Sequence, residues 1–210
     1  LATQLESMGH DIGGELWSAS LLASDPRAII NAHRAYLDAG ADVIISASYQ
    51  ASRSGFISLG YSAEESDQLL LSAVKLGQIA CEEYLKTTPS TSKHPIVAAS
   101  IGPYGAIMHD GSEYTGDYHV SDEALTEFHS SRLKVLDASG ADILAVETIP
   151  NFREAEILCG LLETVSTPAW ISFACRDALK ISDGSMLRDA ASLFAGHHRV
   201  QAVGINCTPP

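Results

Sequence analysis

An α/β fold built on a parallel sheet is what this 210-residue sequence predicts, and three observations lead there. Five apolar runs of strand length recur along the chain, and none alternates cleanly between apolar and polar. Near-continuous apolar runs belong to strands covered on both faces, the situation of a parallel sheet wrapped in helices. The segments between them carry apolar residues at helical spacing. Finally, two distant segments read almost alike, Leu37-Asp38-Ala39-Gly40-Ala41-Asp42-Val43-Ile44-Ile45 and Leu136-Asp137-Ala138-Ser139-Gly140-Ala141-Asp142-Ile143-Leu144. Each is a helix end, a glycine stop and the start of a strand.

The elements follow in order. A helix opens near Asp25-Pro26, where proline suits the first turn, and stops at Gly40 before the strand Val43-Ile44-Ile45. A second helix spans Ala63 to Leu85, with Leu69, Leu70, Ala73, Val74, Leu76 and Ile79 forming its apolar stripe. The polar stretch Lys86 to His94 is a surface loop leading into the strand Ile96 to Ile101. Ser121-Asp122-Glu123 opens a helix that runs to Leu136, and the strand Ile143 to Val146 follows Gly140. Helix Phe152 to Val165, strand Ala169 to Ala174, helix Ser185 to Phe194 and strand Val200 to Ile205 complete the series. Repeated units of this kind fit an open doubly wound sheet or a closed (β/α)₈ TIM barrel. No strand is followed by Gly-x-Gly-x-x-Gly, so the dinucleotide-binding sheet is disfavoured and a single barrel domain over residues 1–210 is expected. A complete barrel takes about 250 residues and eight strands. With five strands in sight, the barrel is expected to be incomplete in this chain.

Composition excludes several functions. The chain is 46% hydrophobic and 19% charged, which argues against disorder, and a formal net charge of -13 argues against nucleic acid or an anionic membrane as partner. Its longest apolar stretches are strand-sized, too short for a membrane span, and the N-terminus shows no signal-peptide pattern. Cys81, Cys159, Cys175 and Cys207 are scattered, which fits reduced thiols and a cytoplasmic location. The pair His197-His198 is expected to be a solvated surface feature, and Cys81, Cys159 and Cys175 to be packing residues.

Barrel chemistry sits at the C-terminal ends of the strands. There the sequence delivers Ser46-Ala47-Ser48-Tyr49-Gln50-Ala51-Ser52, Gly102-Pro103-Tyr104-Gly105, Glu147-Thr148-Ile149-Pro150-Asn151, Cys175-Arg176-Asp177 and Asn206-Cys207-Thr208. Such polar and thiol groups on one rim suit a pocket for a small polar ligand. Glu147 can bind a substrate ammonium or act as a base; equally, it can pair with a nearby cation or cap a helix. Cys207 can be a nucleophile or a metal ligand, although an isolated cysteine is more often a small buried residue. Spacing alone does not make a zinc site here. Trp17 lies near the first helix, where it can line the pocket or fill a core.

Taken together, these residues resemble the homocysteine S-methyltransferase family. The matching pieces are Leu1-Ala2-Thr3-Gln4-Leu5-Glu6 with Gly9-His10, Leu16-Trp17-Ser18-Ala19, Ser48-Tyr49-Gln50-Ala51-Ser52, Ser100-Ile101-Gly102-Pro103-Tyr104-Gly105, Gly116-Asp117-Tyr118, Asp142 to Pro150, and Gly204-Ile205-Asn206-Cys207, in family order. The Tyr-Gln-Ala-Ser and Gly-Pro-Tyr-Gly forms look more like the branch using S-methylmethionine or S-adenosylmethionine than the betaine-dependent branch. The resemblance implies a zinc-dependent barrel that moves a methyl group from a sulfonium donor to the sulfur of L-homocysteine, giving methionine. It implies that Cys207 is the first of three zinc cysteines and that Glu147 holds the homocysteine ammonium. Trp17, Tyr49 and Gln50 would line the donor side, where aromatic faces suit a cation, and Asn206 would support the site. The family's adjacent Cys-Cys pair and its first-strand Asp-Gly-Gly are not found in these 210 residues. The first strand and the last two are therefore expected to lie outside the sequence in hand.

Three rivals remain open. The acceptor can be selenocysteine or another thiol; the protein can be a truncated, non-catalytic one that holds no zinc; or it can be an unrelated barrel enzyme using Glu147 as a base. The methyl donor and the oligomeric state are left open by the sequence.

Overall fold

The computed structural model describes residues 1–11, 20–88 and 94–208, so Trp17 lies outside the described residues. Five strands, β1 (Val43–Ile45), β2 (Ile96–Ile101), β3 (Ile143–Ile149), β4 (Ala169–Phe173) and β5 (Val200–Ile205), form one parallel sheet. Their order in space is β1-β2-β3-β4-β5, the order of the chain. A doubly wound sheet reverses its strand order at a switch point, whereas a barrel adds each strand beside the last. The described strands thus form an arc of a barrel, with helices between successive strands.

Before β1 come α1 (Ala2–Ser7), α2 (Leu21–Ser24) and α3 (Pro26–Asp38). Asp25 caps α3 by accepting from the Ala28 amide, and Pro26 occupies the first turn, where its missing N–H costs nothing. Two helices, α4 (Arg53–Ser58) and α5 (Ala63–Thr87), connect β1 to β2. Ser62 and Glu65 close a reciprocal capping box at the start of α5. After β2 a 3-10 turn (Tyr104–Ile107) and the short α6 (Ser112–Thr115) precede α7 (Asp122–Asp137); α8 (Phe152–Leu162) and α9 (Leu187–Ser192) then alternate with β4 and β5. The short α4 and α6 carry no hydrophobic stripe and escape sequence pattern. The helix before β4 stops at Leu162, short of the expected Val165, because the chain turns through Thr164 and Ser166 onto Asp137.

The inner strands are enclosed. Ala98 and Ala145 are buried, and Ala99, Ile101, Leu144, Val146, Ile171 and Phe173 share one core with Leu70, Ala73, Val74, Leu133, Leu136 and Leu158 from the helices. Gly40 and Gly140 end their helices with φ of +100° and +75°, the left-handed geometry the sequence anticipates.

A buried polar cluster sits between α7 and the strand ends. Glu154, fully buried, accepts from the Tyr104 amide at 2.7 Å, from the Tyr118 hydroxyl, and from His129 Nε2 at 2.6 Å. Arg132, 1% exposed, donates to the carbonyls of Gly102 at 3.0 Å, Ser48 at 3.1 Å and Tyr49 at 3.0 Å, and its guanidinium lies over the Phe128 ring. Burial lowers the Arg132 value to about 10, opposed by the Glu154 charge, so the cation persists at neutral pH. It ties the loop after β1 to the loop after β2. Replacing Arg132 with Met leaves those carbonyls without a donor and Glu154 without its nearby cation. We expect a loss of about 3–5 kcal/mol, read from urea midpoints of wild type and variant.

One side-chain expectation needs correction. His197 is buried rather than solvated: its ring Nδ1 accepts from the Arg199 amide, and Nε2 faces the Cys159 carbonyl and Glu163. Cys159 packs against the core as expected, half-buried, with its thiol donating to the Leu193 carbonyl.

Candidate active site at the strand ends

A cavity of about 420 Å³ opens beside β1 and the C-terminal ends of β2 and β3. Its lining includes Ser46, Tyr49, Gln50, Ser100, Tyr114, Glu147, Thr148 and Cys207. Four of the six site residues expected from sequence are therefore brought to one cavity. Asn206 stands behind the lining, and Trp17 is outside the described residues.

Glu147 lies within β3, not just beyond it, on the same face as Ala145 and next to the neighbouring strand's Ser100. The Ser100 hydroxyl donates to Glu147 Oε1 at 2.5 Å. Ser100 is itself held by a serine ladder: its amide donates to Ser46 Oγ at 3.0 Å, and the Ser48 hydroxyl donates to its carbonyl at 2.7 Å. With its proton committed to that carbonyl, Ser48 accepts from Ser46 across the 2.7 Å contact between the two hydroxyls. No side-chain cation forms an ion pair with Glu147 among the described residues, the Leu1 ammonium acts on it only electrostatically, and the carboxylate caps no described helix. Burial pushes its pKa up, with the Ser100 hydrogen bond opposing. A half-desolvated carboxylate paired with no side-chain cation among the described residues is equipped to receive one from a ligand.

Tyr49 and Gln50 come from the loop after β1. Gln50 is buried and donates to the Ala106 carbonyl at 3.2 Å; Tyr49 is largely buried, and that burial raises its phenol value. Close backbone approach explains the Gly-Pro-Tyr-Gly sequence. A Cβ on Gly102 would stand 2.6 Å from the Tyr49 carbonyl oxygen and 2.8 Å from its ring, and one on Gly105 would stand 2.5 Å from the Glu113 amide. Gly102→Ala is expected to displace Tyr49 and to cost about 1–3 kcal/mol, the usual range for overpacking. Chemical denaturation of wild type and variant would read the loss.

Cys207 is exposed at the cavity, just past β5, with a φ of +48°. It is not the small buried residue that an isolated cysteine usually is. The Asn206 amide nitrogen lies 3.6 Å from its sulfur and the Thr148 hydroxyl 3.9 Å. Thiolate is the form of cysteine that binds soft metals, and neighbouring donors orient such a ligand. This environment fits one ligand of a thiolate-held metal. Among the described residues the one grouping of three close metal-type side chains is Glu163, His197 and His198, away from this cavity. There His197 Nδ1 already accepts a backbone N–H, its Nε2 faces the Cys159 carbonyl and Glu163, and the two rings lie parallel, so the group is a stacked, hydrogen-bonded cluster.

Ser46, Ser100, Tyr114 and Thr148 also line the cavity and were not singled out from sequence. Ser100 could have been found, because it neighbours Glu147 once the two strands are paired. Tyr114 sits on a helix too short for any pattern to signal.

A parallel barrel arc that gathers a carboxylate, a thiol and aromatic rings at its strand ends defines an enzyme of the α/β-barrel class acting on a small molecule. The model of the family described as Homocysteine S-methyltransferase matches residues 1–210. The chain belongs to that family. It is 46% identical to Homocysteine S-methyltransferase 1 of Zea mays, over 100% of this chain and 67% of that protein. It is 46% identical to Homocysteine S-methyltransferase of Escherichia coli, over 99% of this chain and 67% of that protein. Selenocysteine Se-methyltransferase of Brassica oleracea var. italica is 45% identical, with 64% of its length covered. The metallated crystal form of the Escherichia coli homocysteine methyltransferase MmuM superposes with a TM-score of 0.93 at 46% identity, covering 98% of this chain and 72% of that one. The chain thus spans about two thirds of the curated relatives it matches. The family includes a metal-bound form, and no helix among the described residues is long and apolar enough to cross a membrane.

Proposed function

We propose that the protein transfers a methyl group from S-methylmethionine or S-adenosylmethionine to L-homocysteine, forming methionine. One observation supports this most: Glu147 and Cys207, from different strands, line one cavity in a chain that matches the homocysteine S-methyltransferase family along its whole length. In this reading the Glu147 carboxylate binds the homocysteine ammonium, and Ser100 keeps one oxygen of that carboxylate in place. Tyr49 and Gln50 line the donor side, where the Tyr49 ring attracts the sulfonium by a cation–π contact, and Trp17 is proposed for the same side. Cys207 is one ligand of a zinc ion, whose other two thiolates, on the family's pattern, are an adjacent Cys-Cys pair. Bound zinc lowers the pKa of a ligating thiol and keeps it nucleophilic at neutral pH. The homocysteine sulfur then attacks the methyl carbon; the new C–S bond forms as the donor's C–S bond breaks, and that electron pair neutralises the departing sulfonium sulfur. The protein's own contribution is alignment, because a sulfonium is already a good leaving group. The free cysteines of the described chain suit a reducing, cytoplasmic setting.

A second reading replaces homocysteine with selenocysteine, favoured by the 45% identity to the Brassica oleracea enzyme. Both readings are tested by incubating the intact, zinc-loaded protein with S-methylmethionine and each acceptor in competition. Because the donor itself departs as methionine, the acceptors are scored: preferential consumption of homocysteine supports the first, preferential formation of Se-methylselenocysteine the second, and methylation of neither acceptor contradicts both.

A further inference from the structure

Thr148 has a φ of +63°, and among the described residues it is the one β-branched side chain in the left-handed region. A β-branched residue there is a steric outlier that persists only where its surroundings hold it. Here the holding group is Asn206. The Thr148 amide donates to Asn206 Oδ1 at 3.0 Å, and Asn206 Nδ2 donates to Thr148 Oγ1 at 2.8 Å. Because a backbone N–H requires an acceptor, these two bonds also fix which end of the carboxamide is oxygen and which is nitrogen. The nitrogen is thereby turned toward the Cys207 sulfur, 3.6 Å away. The Thr148 hydroxyl lies 3.9 Å from the same sulfur and also meets the Tyr49 phenol.

The kink has a second consequence. Successive side chains of a regular strand point to opposite faces, yet Glu147 and Thr148 both line the cavity. The pairing of β3 with β4 shifts register between Val146 and Ile149, across these two residues. One distorted residue thus joins the carboxylate to the thiol.

We infer that Thr148 is a positioning residue for the metal-binding thiolate: through Asn206 and its own hydroxyl it orients the Cys207 sulfur in the cavity that its neighbour Glu147 also lines. This rests on the reading of Cys207 as a zinc ligand. Partners that orient a ligand affect metal affinity by about 10- to 100-fold when removed. The test is competition for zinc against a chromophoric chelator, using the intact protein with zinc alone as the probe, alongside the melting temperature of the metal-free form. Thr148→Val keeps the shape and removes the hydroxyl, and is expected to weaken zinc binding about 10-fold or more. Thr148→Ser is expected to restore it. A purely structural threonine would move the metal-free melting temperature and leave the zinc affinity of the folded protein unchanged, and that result overturns the inference. Should the valine variant fail to fold, Asn206→Ala at the less buried partner gives the same reading, with an equal loss supporting the role and wild-type affinity overturning it. Cys207→Ser with full zinc affinity would remove the underlying reading itself, whereas loss in Cys207→Ser with no change in Thr148→Val would overturn only the role of Thr148.

Discussion

Cys207→Ser is expected to abolish methyl transfer while leaving the fold intact. The side chain is exposed past the end of β5, so its replacement by a smaller, more polar group disturbs no packed contact. A hydroxyl is a far poorer zinc ligand than a thiolate at neutral pH, because it stays protonated. Loss of mere supporting partners can weaken a metal site about 10- to 100-fold, so loss of a ligand is expected to exceed about 100-fold. Dialysis of the intact protein against a chelator, followed by metal analysis, should leave the serine variant free of zinc where wild type retains it. Its melting temperature without metal should match that of metal-free wild type.

Glu147→Gln is expected to have opposite effects on binding and on stability. Truncating one partner of a buried charge pair costs about 2–5 kcal/mol, so homocysteine affinity should fall at least about 30-fold. The ligand-free fold should gain. Burial raises the Glu147 carboxyl above its ordinary value, the Ser100 hydrogen bond opposing. A carboxyl whose folded pKa exceeds its unfolded one stabilises the protein only below the unfolded value, and that contribution is lost as pH rises through the folded value. At neutral pH the ionised Glu147 therefore weakens the empty protein, and glutamine removes the charge while its amide oxygen can still accept from Ser100. The variant should melt above wild type at pH 7 without substrate, and the difference should shrink as pH falls through the carboxylate range. Such a trade is common where a site is built to receive charge.

The architecture was legible because each strand announces itself. Val43-Ile44-Ile45, Ile96 to Ile101 and Val200 to Ile205 are apolar without alternation, and Gly40 and Gly140 mark the stops before two of them. Glu147 and Cys207 were legible for the same reason, since a polar residue at the end of a buried run is conspicuous. What escaped is whatever depends on neighbours in space. Glu154, His129 and Arg132 look like ordinary residues of amphipathic helices, and only the fold reveals that they are buried together under the loops carrying Tyr49 and Gly102. Thr148 looks like one more β-branched strand residue; its left-handed backbone comes from Asn206 on another strand end. His197 was misjudged because a polar loop sequence gives no sign of the carbonyl it meets on α8.

The central claim is that Glu147 and Cys207 address opposite ends of one amino-acid thiol. It is tested most directly by titrating zinc-loaded wild type and Glu147→Gln with homocysteine and with 4-mercaptobutanoate, which keeps the thiol and carboxylate but lacks the ammonium. Wild type should prefer homocysteine by about 30-fold or more, as a buried charge contact implies, and the glutamine variant should bind the two alike. Undiminished preference for homocysteine in the variant would contradict the account.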